Sequence, residues 1–144
     1  MNEIAKYTGK ISGPLLDRID IQVEVDGVEY DDLIAQTEEE SSAAVKARAE
    51  VARKIQRARF EGSGVKSNAE MSEKETRQFC ALSAECEAVL KEAFESLRLS
   101  ARARSRILKV ARTIADLDYS EHITAEHLYE AISYRTYSQT TENG

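Results

Sequence analysis

Ser100-Ala-Arg102-Ala-Arg104-Ser-Arg106-Ile107-Leu-Lys109-Val110-Ala111-Arg112-Thr-Ile114-Ala-Asp-Leu117 reads as one long amphipathic helix, and that reading decides the fold class. Ser100 can cap it by accepting a hydrogen bond from a free N–H of the first turn. Ile107, Val110, Ala111 and Ile114 recur at the spacing of a single inward-facing stripe. Arg102, Arg106 and Lys109, at i, i+4 and i+7, share a different face. The start of a helix already carries about half a positive charge, so cations there are locally unfavourable by a few tenths of a kcal/mol each. Free N–H groups and guanidiniums together suit a phosphate. Pairing with acids of the preceding helix, such as Glu92 or Glu95, or plain solvation, would satisfy the same residues. Spacing alone does not choose among these.

Working outward, Ser83 opens a helix in which Cys86, Val89 or Leu90, Ala93 and Leu97 form an apolar stripe. Ser72-Glu73-Lys74-Glu75 is a capping box that predicts a short helix to about Leu82. Ser41 or Ser42 caps a helix to about Phe60, ended by Gly62-Ser63-Gly64, where glycine can take the left-handed cap. Along that helix Val51, Ile55 and Ala58 share one face and Lys46, Arg53 and Arg57 another. Downstream, Thr124 caps a helix from Ala125 to about Tyr134, and the polar tail from Thr136 is expected to fray.

The amino-terminal part reads differently. Ser12 can cap a helical turn in which Pro14 takes the first position, where a missing N–H costs nothing. Ile19, Ile21, Val23 and Val25 then alternate with Asp20, Gln22 and Glu24, the period of a half-buried strand. The best partner for it in this chain is Val28 to Tyr30, across Asp26-Gly27, and an isolated hairpin of that size is marginal in water. So regular a strand implies that its sheet lies elsewhere. An unpaired edge invites pairing with another copy, so the segment is expected to form a hairpin, to exchange strands in a dimer or to be disordered. The expected architecture is therefore mainly α, a helical bundle preceded by a short strand or hairpin remnant.

At 144 residues the chain has the size of one domain, able to bury about two-thirds of its unfolded surface. Hydrophobic residues at 42% and charged residues at 32%, with one proline and no tryptophan, suit a soluble helical protein. A net charge of −6 excludes a wholly basic nucleic-acid-binding domain. Acids crowd Asp31 to Glu40 while bases crowd Lys46 to Arg59 and Arg98 to Arg112, so a local anion site remains compatible with that charge. Cys80 and Cys86 form no Cys-x-x-Cys pair and read as reduced core thiols. No apolar run approaches the roughly 18 residues a membrane span needs, and Met1 begins no secretory signal. A cytoplasmic location without membrane partners is expected.

Chemistry-bearing features elsewhere are sparse. His122 and His127 are five apart across a loop–helix junction, which is not the one-face spacing of a zinc pair, and no metal site is expected. Lys46, Arg53 and Arg57 offer a face that can touch DNA phosphates or lie solvated beside Glu50. No aromatic interleaves those bases to stack a single strand. Asp17, Asp20 and Glu24 point in different directions from turn and strand and make no acid–base dyad.

Four strings together resemble the magnesium-chelatase-like AAA+ ATPases: Ser12-Gly-Pro-Leu-Leu-Asp-Arg-Ile-Asp20, Ala52-Arg-Lys-Ile-Gln-Arg-Ala-Arg-Phe60, Asn68-Ala69 and Leu99-Ser-Ala-Arg-Ala-Arg-Ser-Arg-Ile-Leu-Lys-Val-Ala-Arg-Thr-Ile-Ala-Asp-Leu117. The resemblance covers about Tyr7 to Arg135 and includes the ending Ile123-Thr-Ala-Glu-His-Leu-Tyr-Glu-Ala-Ile-Ser-Tyr-Arg135. It is nearest the competence-associated bacterial branch, related to the chelatase ATPase subunit and to minichromosome-maintenance helicases. Around Ala103-Arg104-Ser105 the chain lacks the aromatic that the family usually carries.

The resemblance implies that residues 1–35 are the end of an AAA+ core, 36–135 its carboxy-terminal helical lid and 136–144 a flexible tail. Arg18, in Leu15-Leu16-Asp17-Arg18, would be the arginine finger reaching the γ-phosphate held by a neighbouring subunit. Arg102, in Ser100-Ala101-Arg102, would be the sensor-two arginine on nucleotide phosphates, with Arg106 as a secondary contact. ATP and Mg2+ would serve the parent protein, neither held tightly by this chain alone. Partners would be the AAA+ core, neighbouring subunits of a homo-hexameric ring, and DNA. The implied work is nucleotide sensing in a DNA-remodelling ATPase of helicase or branch-migration type. A non-catalytic interaction module and a subunit that inserts metal into porphyrin are the alternatives, and the Ser12–Asp20 string favours the competence-associated branch over both. There is no Gly-x-x-x-x-Gly-Lys-Ser/Thr, so the chain should not hydrolyse ATP unaided.

Overall fold

The computed structural model describes Glu3 and residues 9–135, and the expected tail at 136–144 lies outside them, as does most of the stretch before Gly9. Among the described residues from Gly9 onward, seven α-helices follow in order: α1 Gly13–Leu16, α2 Tyr30–Ile34, α3 Ser42–Arg59, α4 Glu73–Phe79, α5 Ala84–Ser96, α6 Ala101–Leu117 and α7 Ala125–Ser133. A 3-10 turn, Asn68–Glu70, lies between α3 and α4.

Local chemistry explains the helix starts. Ser41, Ser83 and Ser100 each accept a hydrogen bond from the backbone N–H three residues on. Ser72 and Glu75 close a reciprocal capping box, and Glu75 stops α4 from fraying at its first turn. That carboxyl is held below its usual range by the Ser72 backbone and hydroxyl hydrogen bonds. Beyond α3, Gly62 takes φ of 78°, the left-handed region that its missing side chain allows.

α6 is the axis of the bundle. It packs most extensively against α7, and also against α3, the 3-10 turn and α4, while α5 leans on α7. Ile107, Ala111, Ala115 and Leu128 are fully sequestered where α6 and α7 meet. Val110 and Ile114 flank that seam, partly buried. Cys86 and Leu90 bring α5 onto it, and Phe60 meets Phe79 edge to face at 5.5 Å to tie the end of α3 to α4. Both cysteines are free and buried.

Three expectations change. Among the described residues there is no β-strand: 21–29 run without helix or ladder, so the expected return strand at Val28 to Tyr30 does not form, and Tyr30 instead opens the short helix α2. Without a sheet the alternating side chains bury little, with Val23 61% and Val25 85% exposed. A strand needs a neighbour's backbone to satisfy its N–H and C=O groups, whereas α2 satisfies its own locally, as in Asp32 N–H to Glu29 O. Secondly, α3 is buried at Ala52 and Gln56, continued by its capping residue Phe60, with Ala58 exposed instead of inward. The row is rotated because Gln56 turns inward to accept the Asn68 backbone N–H. The first half of α3, residues 42–50, is exposed throughout. Lastly, α4 ends at Phe79, three residues before the expected Leu82.

Candidate functional site

The turn carrying Arg18 is built by short-range bonds. The Ser12 hydroxyl accepts from Leu15 N–H, and Arg18 N–H and Ile19 N–H close onto the Leu15 and Leu16 carbonyls at 3.1 Å. The Arg18 side chain is exposed and makes no hydrogen bond or ion pair among the described residues. Pro14 takes the second helical position, one later than expected, which equally needs no N–H.

This turn is fastened to the bundle at its far side. Arg135, just beyond α7 and 3% exposed, donates from Nη1 to the Ile19 carbonyl at 3.2 Å and from Nη2 to the Asp17 carbonyl at 3.1 Å. Gln22 N–H donates to the Tyr134 carbonyl at 2.8 Å, and the Gln22 side-chain amide donates to the Leu16 carbonyl at 3.0 Å. Burial lowers the proton affinity of the Arg135 guanidinium, offset by the nearby Asp17 and Asp20 carboxylates.

Arg102 stands in the first turn of α6, exposed, and likewise has no hydrogen bond or ion pair among the described residues. One turn on, Arg106 donates to Asp20 at 2.5 Å. The first turns of α6 therefore adjoin the segment that carries Arg18. Phosphate contact by Arg106 would require release of Asp20, a half-exposed pair of the kind that contributes about 1 kcal/mol or less. Lys109, third on that face, donates to the Ala69 carbonyl at 3.3 Å. Glu92 and Glu95 take none of these cations; Arg104 instead pairs with Glu87 at 3.2 Å.

The other polar centre lies inside the bundle. Asp116, with a fully buried side chain, accepts both Arg59 guanidinium nitrogens at 2.8 and 2.5 Å, Asn68 Nδ2 at 2.9 Å and Arg112 Nε at 3.2 Å. Arg112 also donates to the Ser120 and Glu121 carbonyls at 2.6 and 2.9 Å. Asn68 accepts from Arg59 and donates to Thr113. A buried carboxylate is tolerable only when its lone pairs are filled, and here four donors fill them. This network pins α3, the 3-10 turn, α6 and the loop after it together. Hydropathy places Arg59, Asn68 and Asp116 outside; the available signal was Leu108, Arg112 and Asp116 at four-residue intervals on an otherwise apolar side of α6.

His127 is also internally engaged. Its Nδ1 accepts from Thr124 N–H at 3.0 Å, which leaves Nε2–H to donate to Asp118 at 2.9 Å. Among the described residues no group of three or more potential metal ligands gathers. On the outer face of α3, Lys46 lies 3.8 Å from Glu50 while Arg53 and Arg57 are exposed. No helix is long and apolar enough to cross a membrane among the described residues. A groove of 630 Å³ runs between residues 20–21, α3, α6 and α7, but its rim carries Asp118, Glu126 and Glu130, and none of Arg18, Arg102 and Arg106 lines it. Its lining acids, Asp20, Asp118, Glu126 and Glu130, outnumber its cations Arg48 and Lys109, which makes it a poor seat for a polyphosphate.

With the capped α6, the pinned bundle and the flanking arginine turn in place, the chain belongs to the magnesium chelatase family: residues 39–135 match the model described as Magnesium chelatase, subunit ChlI C-terminal, and residues 1–33 the one described as Magnesium chelatase, subunit ChlI. Among curated proteins it is 44% identical over 132 residues to YifB of Escherichia coli strain K12 and 40% identical over 134 residues to Competence protein ComM of Haemophilus influenzae. These alignments cover 90% and 92% of this chain but only 25% and 26% of the relatives, so the chain spans about a quarter of their length.

Proposed function

We propose that this chain is the nucleotide-sensing lid, with the adjoining end of the core, of a magnesium-chelatase-like AAA+ ATPase. One observation carries the reading. Of the arginines in the family-like strings, Arg59, Arg112 and Arg135 are spent inside the fold and Arg104 and Arg106 pair with acids, whereas Arg18 and Arg102, like Arg53 and Arg57 on α3, stand exposed without partners among the described residues, and the Arg106–Asp20 pair brings the elements carrying Arg18 and Arg102 together. In this reading Arg102 contacts phosphates of the nucleotide bound to its own subunit, with Arg106 in reserve. Arg18 reaches the γ-phosphate of the neighbouring subunit's nucleotide. A planar, permanently charged fork suits both tasks, since charge grows on the transferring phosphoryl oxygens. Mg2+ would neutralise charge on the phosphates, and among the described residues no group of three or more potential ligands gathers to hold it. α6 links Arg102 at one end to the Asp116 network at the other, so a phosphate contact moves the bundle as one body.

The parent's work on DNA is the next step of the proposal. It is supported by the resemblance to the competence-associated branch and by a relative named as a competence protein. An interaction module is the second reading, favoured by the exposed Ile21, Val23, Val25, Val28, Leu33 and Ile34.

Mixed assemblies of the full-length protein test the first reading. Arg102→Ala should impair turnover in its own subunit. Arg18→Ala should impair it in the neighbour, by about a thousandfold if that arginine is a true finger. Arg18→Ala subunits that still activate wild-type neighbours would remove the assignment.

A further inference from the structure

The two carbonyls on either side of Arg18, those of Asp17 and Ile19, are both held by one buried guanidinium more than a hundred residues away in sequence. Two further bonds from Gln22, to Tyr134 and to Leu16, lock the same turn from its other end. A side chain as long as arginine places its charge only as well as its backbone is placed, and a loop turn by itself is soft. Here the turn is made part of the bundle. Arg135 follows directly on α7, and α7 is the helix most extensively packed on α6, which begins with Arg102.

We propose that Arg135 is the positioning residue for Arg18, gripping the finger turn so that the lid and the finger move together. The inference rests on the reading of Arg18 as a finger. It adds a mechanical consequence: the element that senses a subunit's own nucleotide and the side chain aimed at the neighbour's nucleotide share one rigid frame. Closure of the lid on one site would thereby reset the finger at the next. Asp20, held by Arg106, is a second and more exposed link in the same frame.

A double-mutant cycle in the full-length ATPase tests this. Arg135→Ala should lower kcat by up to about a hundredfold, the cost of a misplacement near 1 Å. KM for ATP should stay within about twofold, because the Arg102 contact is left in place. Arg135→Lys should recover part of the loss, as an ammonium can still meet one of the two carbonyls. In an Arg18→Ala background Arg135→Ala should cost nothing further, an outcome that general damage to the fold would not give. An equal loss in both backgrounds, or an Arg135→Ala enzyme with full turnover while Arg18→Ala is impaired, would overturn the inference and leave the finger reading intact. Full turnover in Arg18→Ala alone would overturn both. If Arg135→Ala does not fold, Gln22→Ala, which gives up only the Leu16 contact, takes its place in the cycle with a smaller loss confined to kcat.

Discussion

Replacing Asp116 by alanine would leave the partly buried Arg59 and the buried Arg112 without their shared counter-charge. Breaking a buried ion pair from one side costs about 3–5 kcal/mol, so Asp116→Ala should move the urea midpoint far down or abolish folding. Asp116→Asn keeps the shape and one acceptor and should cost less. An Asp116→Ala protein of unchanged midpoint would mean that the network is dispensable. Cys80 gives a pH signature. Burial pushes its thiol up from 9.0 to about 11, with Arg112 and Arg59 opposing. The folded state therefore keeps a proton that the unfolded chain releases earlier. Stability from this thiol is fully present below pH 9 and is lost as pH rises from 9 towards 11, at about 1.4 kcal/mol per pH unit. The difference in unfolding free energy between wild type and Cys80→Ala should be flat below pH 9 and shrink above it. A gap that stays constant up to pH 11 would contradict this.

At the scale of elements, the caps lend themselves to direct measurement. Ser100→Ala removes the hydroxyl that accepts from Ala103 N–H and should cost about 1 kcal/mol, or roughly 2–5 °C in thermal unfolding. The helices from α3 onward were readable because each begins with a serine or threonine cap followed by a clear apolar period. The exposed turn with Arg18 and the first turn with Arg102 were readable for the same reason, since the local pattern alone builds them. What escaped was long-range and polar. Gln56 and Asn68 look like surface residues in any window and Asp116 offers only its spacing from Leu108 and Arg112; segments brought together from afar make all three interior. Arg135 escaped likewise, because its acceptors are backbone carbonyls, which carry no residue-specific signal. The strand at Ile19 to Val25 was a sound local reading without a partner to complete it. Hydrogen exchange separates these cases: amides of residues 23–28 should exchange at near random-coil rates, and those of Ile107 to Ala115 only on global unfolding.

As a whole molecule, the chain exposes Arg18 and Arg102 but carries neither a Gly-x-x-x-x-Gly-Lys-Ser/Thr loop in its sequence nor a metal-holding cluster among its described residues. Titrated with ATP alone, it should bind no tighter than millimolar by calorimetry, whatever the magnesium concentration. Micromolar affinity would mean that the nucleotide site is contained in this chain and would end the split-site picture. The division of α3 into a free first half and a docked second half has a consequence of another kind. Proteases cut where a stretch of backbone can open locally without dismantling what surrounds it. Residues 42–50 can unwind at little cost, whereas the end at Arg59 is chained to Asp116. Brief trypsin treatment should therefore nick after Lys46 or Arg48 first, and leave a resistant remnant that still carries α4 to α7.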